Sequence, residues 1–191
     1  MSANFELKLF VSKLAPYREY TALLAHCFNG DFTLSEIFVI DDWAFENQRN
    51  LGLEVSDDEL SSLINKGKIV FSYGSVKEHS CGVGLCQEIN ALYEIGLWIS
   101  SKHMPFLDDN ITSANEHIYQ MATDYILKNL HSDLVICGIG SELSISYRGK
   151  FEDIILTSSG VDEWIVPQGT YFTADNYSKT ELQGFDVWCL K

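Results

Sequence analysis

Basic residues are scarce in this chain. Its 191 residues include 13 Lys and Arg against 27 Asp and Glu, a formal net charge of −14. Nucleic-acid binding depends on neutralising phosphates with Lys and Arg. Here those side chains never cluster more tightly than Lys66 and Lys68. Neither nucleic acid nor an anionic membrane surface is therefore expected as a partner. Long apolar runs are also missing, and a helix needs about 20 apolar residues to cross a membrane. There are only three prolines, no low-complexity tract and no repeat, so the sequence marks no linker or repeat array. Met1–Lys13 alternates charged and apolar residues where a secretory leader would place a basic start and an apolar run. The cysteines (Cys27, Cys81, Cys86, Cys137, Cys189) are odd in number and scattered. Reduced thiols in the cytoplasm, most of them small buried hydrophobes, are the expectation.

What is present is ordinary for a folded domain: 46% hydrophobic and 21% charged residues. A chain of this size buries about 70% of its unfolded surface without help from disulfide or metal. One globular domain over 1–191 is expected.

The apolar spacing divides the chain into elements. Phe5–Val11 alternates as a strand with one buried face. Pro16 suits a helix first turn, Tyr20, Leu23, Leu24, Cys27 and Phe28 follow at helical spacing, and Asn29-Gly30 suits its end. Glu36–Ile40 reads as a strand. Ser56-Asp57-Asp58-Glu59 is a capping box opening a helix that Gly67 closes. Lys68–Val76 and Leu92–Ser100 read as strands, with a glycine- and cysteine-bearing loop, His79–Cys86, between them. Ser113 and Glu116 form a second candidate capping box, before an amphipathic helix through Ile118, Met121, Ala122, Tyr125 and Ile126 that ends near Asn129. The rest reads as strands: Leu134–Ile139, Glu142–Tyr147, Phe151–Thr157, Glu163–Val166 and Phe185–Leu190, with Arg148-Gly149-Lys150 a hairpin loop. The order predicts an α+β domain with a mixed or largely antiparallel sheet, about three helices on one face, and a strand-rich C-terminal half.

Candidate chemistry is thin. His79, Cys81 and Cys86 carry soft ligand atoms, but Cys-x4-Cys without a second pair supplies too few for zinc. Cys81 with His79 could form a nucleophile and base, yet catalytic pairs of this kind are usually assembled by the fold. The remaining histidines (His26, His103, His117, His131) are isolated. Gly138-Ile139-Gly140 follows a strand, but the third glycine of a dinucleotide fingerprint is replaced by Leu143 and no helix pattern follows. It reads as a bend between two strands. Paired acids at Asp57-Asp58, Asp108-Asp109, Glu152-Asp153 and Asp162-Glu163 each have a local reason: a helix first turn, a turn, or an edge kept soluble; Asp41-Asp42, following a strand, has none. No catalytic residue, metal or cofactor is assigned.

Acids beside aromatics remain. Residues 31–59 hold nine acids (Asp31, Glu36, Asp41, Asp42, Glu46, Glu54, Asp57, Asp58, Glu59) against Arg49 alone, a net of −8. Trp43 follows Asp41-Asp42, and Trp164 follows Asp162-Glu163. Aromatic anchors ringed by like charge favour a partner of opposite sign. The expected function is an acidic protein-binding module that neutralises a basic protein, of the kind represented by an immunity protein inhibiting a nuclease-type bacterial toxin. Asp41, Asp42, Trp43, Glu46, Asp57, Asp58, Glu59, Asp162, Glu163 and Trp164 are its expected contacts. The alternative is a hydrolase-like enzyme with a site assembled around the His79–Cys86 loop and the strand-end acids.

Overall fold

Strand β1 (Asn4–Val11) lies between two later strands, β6 (Tyr93–Ser100) and β7 (Leu134–Ser144), antiparallel to both. Around this centre the computed structural model shows one ten-stranded sheet in the order β3-β2-β4-β5-β6-β1-β7-β8-β10-β9. The residues described are 4–42, 47–88, 92–102, 104–107, 110–145, 158–170 and 175–191. The other strands are β2 (Phe32–Ile40), β3 (Arg49–Asn50), β4 (Ile69–Val76), β5 (His79–Gln87), β8 (Ser159–Pro167), β9 (Tyr177–Leu182) and β10 (Phe185–Leu190). Every pairing is antiparallel. The α+β class is therefore found in its sheet-dominated form.

Three helices among the described residues pack on one face of the sheet. They are α1 (Tyr17–Cys27), α2 (Asp57–Asn65) and α3 (Glu116–Asn129). Period-2 alternation sends Phe5, Leu7, Leu9 and Val11 of β1 to that face, where they join Leu23 and Leu24 of α1, Leu60 and Ile64 of α2, and Ile118, Ala122 and Ile126 of α3 in the main core. The opposite parity, Phe10 with Ile136, Val161, Trp164 and Val166, forms a second cluster on the other face.

Helix ends follow local chemistry. The Ser56 hydroxyl accepts from Glu59 N at 3.2 Å, as its spacing predicts. Asp57 Oδ1 accepts from Tyr17 N at 2.8 Å, so an acid of α2 satisfies the start of α1. Asn29 (φ 48°) and Gly67 (φ 76°) end their helices in the left-handed region.

Three expectations are corrected. The N-cap of α3 is Asn115, not Ser113, and the Asn115 side chain makes no cap bond. It turns back instead, accepting from Thr112 N (2.7 Å) and donating to the carbonyls of Phe106 (2.8 Å) and Asn110 (3.2 Å). The His79–Cys86 segment is not a loop but most of β5. Gly138-Ile139-Gly140 is not a bend but the interior of β7. The readings at Phe151–Thr157, Arg148-Gly149-Lys150, Asp108-Asp109, Glu152-Asp153 and His103 fall outside the described residues, and β9 adds a strand that the apolar spacing does not announce.

Candidate functional site

The face opposite the helices explains the glycines of β5. Tyr73 of β4 pairs with Gly82, which pairs with Trp98 of β6; one step along, Phe71 pairs with Gly84, which pairs with Gly96. A Cβ on Gly82 would stand 2.7 Å from Trp98 Nε1, and one on Gly84 would stand 3.0 Å from the Phe71 ring. Each ring thus lies across a glycine of the neighbouring strand, which is why a segment rich in turn-type residues is a strand here. Phe38 of β2 stacks on Phe71 (5.7 Å) and on Tyr73 (5.4 Å), and Tyr73 meets Trp98 edge-on (5.6 Å). The result is an aromatic ladder across four strands, with Tyr73 37% exposed and Phe71 and Trp98 half-buried.

Acids border this ladder. Glu36 pairs with Tyr73, and Glu6 pairs with Trp98. Glu94, Glu6, Lys8, Cys86 and Gly96 surround a pit of about 140 Å³ beside Phe71 and Trp98. A Cβ on Gly96 would meet nothing within 4 Å, so its missing side chain opens the pit. Lys8 Nζ lies 2.8 Å from Glu94 Oε1 and balances that acid. Glu6 accepts from Leu143 N at 2.9 Å, while burial raises its carboxyl above the usual range.

Cys86, Glu88 and Glu94 hold their ligand atoms within 4.8 Å of one another. The set fits a metal poorly. The ammonium of Lys8 already supplies the positive charge at Glu94, and burial together with Glu94 and Glu88 pushes the Cys86 thiol up to about 12, so the thiolate a metal needs is disfavoured. Cys81 is fully buried among the core residues on the helix side, its thiol pushed up to about 11 by burial. No hydrogen bond joins it to His79 among the described residues. The thiol chemistry of the enzyme reading finds no activated sulfur at this strand.

The sequence-predicted contacts separate into three groups. Asp41 and Asp42 are exposed beyond the end of β2, and Lys68 bridges Asp41 at 2.8 Å. Asp57, Asp58 and Glu59 are exposed too, but they belong to the first turn of α2, whose Leu60 and Ile64 pack on the helix side. Asp162, Glu163 and Trp164 are not surface residues: they are 4%, 5% and 1% exposed. A register shift beside Ile139 and Gly140 marks this stretch of β8. Asp162 accepts from the Tyr119 hydroxyl of α3 at 2.7 Å, Glu163 accepts from the Thr123 hydroxyl, and Cys189 Sγ lies 3.3 Å from Glu163. Burial raises both carboxyls. Trp43 and Glu46 lie outside the described residues.

Sequence reading missed Glu6, Phe71, Tyr73, Glu94 and Trp98. They are spread over β1, β4 and β6 at alternate positions, and only strand order brings them together. The signal that could have found them is the glycine at every second position, Gly82 and Gly84, in a stretch flanked by β-formers. Comparison with family models, with curated proteins and with solved structures yields no match.

Proposed function

We propose that this chain is an acidic protein-binding module that docks a basic protein on the sheet face opposite its helices. In its finer form the partner is a nuclease-type toxin that the chain neutralises in the bacterial cytoplasm, as an immunity protein does. The carrying observation is the half-exposed ladder Phe71–Tyr73–Trp98 bordered by Glu6 and Glu36. Aromatic side chains that already pack on one another lose little freedom on binding, and they anchor protein interfaces out of proportion to their number. A border of like charge steers an oppositely charged partner. Nucleases are basic because they hold phosphates, which fits a −14 chain.

The test is capture of a basic protein from lysate of the source cells, its identification, and kinetics with both purified proteins. Tyr73→Ala is expected to raise the dissociation constant at least tenfold with its folding unchanged. Glu36→Lys is expected to slow association, and the wild-type association rate to fall between 50 and 500 mM salt. If the captured protein is a nuclease, its cleavage is expected to stop at one equivalent of the chain. Kinetics indifferent to Tyr73→Ala, Glu36→Lys and salt would place the docking surface elsewhere.

A further inference from the structure

A second recess, about 410 Å³ in volume, lies between the end of α1, the β4–β5 turn and the start of α3. Its lining divides by chemistry. Asn29, Lys77, His79 and His117 supply nitrogen donors, while Phe28, Met104, Phe106, Ile118, Met121 and Cys27 supply an apolar wall. No described residue lining it is acidic, although acids outnumber bases two to one in the chain as a whole. Local concentration of donors against that background is the opposite of a solvated acidic surface.

Two details set the donors in place. Lys77 takes a left-handed φ of 54° in the tight turn joining β4 to β5, and its stem runs along Gly30, where a Cβ would stand 3.3 Å from Lys77 Cε. His79 Nδ1 is buried and has no hydrogen-bond partner. That nitrogen is sealed from the recess as the ring stands, so an acceptor there meets it only when the imidazole turns, which would remove the cost of leaving it unpaired. Small-ligand sites commonly combine an apolar wall with a few convergent polar groups in a volume of about 300–1,000 Å³.

We propose that this recess binds a small organic carboxylate carrying a short apolar tail. The carboxylate lies among Lys77, His79 and His117, and the tail lies against Phe28, Phe106, Ile118 and Met121. The site is separate from the aromatic ladder, so a ligand here is a second binding activity of the chain and not part of the docking face.

Octanoate, octylammonium and acetate serve as probes, followed by thermal melting and by the ring-proton resonances of the five histidines. Octanoate is expected to raise the melting midpoint and to move the signals of His79 and His117 while those of His26 and His131 stay still. Octylammonium, with the same tail and the opposite charge, is expected to bind at least tenfold more weakly; acetate, lacking the tail, likewise. The exposed-residue double variant Lys77→Ala/His117→Ala is expected to melt as the wild type does without ligand and to lose at least tenfold in octanoate affinity. Equal response to octanoate and octylammonium, shifts that spare His79 and His117, or no binding of octanoate at millimolar concentration would each overturn the proposal.

Discussion

Glycine 96 and glycine 82 sit on neighbouring strands and face the same side, yet the space above them differs. Over Gly82 lies the Trp98 indole, and over Gly96 there is nothing within 4 Å. Alanine at 82 would meet the backbone oxygen of Ser72 even more closely than the indole, so β5 itself must shift, and Gly82→Ala is expected to lower stability by about 1–3 kcal/mol, the usual cost of overpacking. Alanine at 96 meets no atom and reduces the freedom of the unfolded chain, so Gly96→Ala is expected to stay within about 0.5 kcal/mol of wild type or to gain slightly. Urea denaturation of the two variants side by side checks this. A similar loss in both would mean that the open space over Gly96 is not what separates the two positions. Gly96→Ala also reduces the pit, so it offers a way to alter the binding face without harming the fold.

Among the elements, the helices rest on two unlike kinds of start. Ser56 caps α2 with one exposed hydroxyl bond, so Ser56→Ala is expected to cost about 1 kcal/mol. Asn115 is fully buried and ties three backbone groups of the segment before α3. Asn115→Ala leaves those groups without partners, and the expected loss is about 2–4 kcal/mol, read from denaturation midpoints. Equal losses would show that the Asn115 bonds are replaced by water. The contrast also shows what the sequence revealed. The Ser56–Glu59 spacing is a local device whose partners lie within one helical turn, so it was legible. Ser113–Glu116 has the same spacing, but Asn115 gains more by bonding Phe106 and Asn110, an option that depends on how the preceding segment folds back. Strands with strict alternation, such as Phe5–Val11, were legible for the same local reason. β5 was not, because its glycines answer to rings on β4 and β6. An acid–aromatic combination is found on Glu6, Glu36, Tyr73 and Trp98, while Trp43 and Glu46 of the expected one at Asp41-Asp42-Trp43 fall outside the described residues. The written triplet Asp162-Glu163-Trp164 is interior because Tyr119 and Thr123 of α3 supply donors to its carboxyls.

For the whole molecule, the buried acids set a pH dependence. Burial is the largest cause raising Asp162, Glu163 and Glu6 above their ordinary values of 3.8, 4.5 and 4.5. A carboxyl raised on folding holds its proton more tightly in the folded chain. Its stabilising contribution is therefore complete below the unfolded value and is lost as the pH rises through the folded one. Stability is expected to decline from about pH 4 towards neutrality, and self-repulsion of a −14 chain acts in the same direction. Glu163→Gln is expected to flatten that decline and to stabilise the protein at pH 8. Urea midpoints at pH 5.5 and pH 8 decide it: a wild type more stable at pH 8 would contradict the assignment.

The position of β1 has a consequence for how the chain assembles. Phe5 pairs with both Ile99 and Ser141, so β1, made before every other strand of this sheet, is flanked only by strands made much later. Until β6 (Tyr93–Ser100) is made it has no neighbour, and until β7 (Leu134–Ser144) is made it has only one, so its Phe5, Leu7, Leu9 and Phe10 wait for a complete sheet. β2, β4 and β5 can pair in the meantime, since each is close to the next in sequence, and β8 to β10 can do likewise later. The two blocks become one sheet only when β1 inserts between β6 and β7. That makes β1 the zipper of the fold, and the long-range loop closure it needs is the expected slow step of folding.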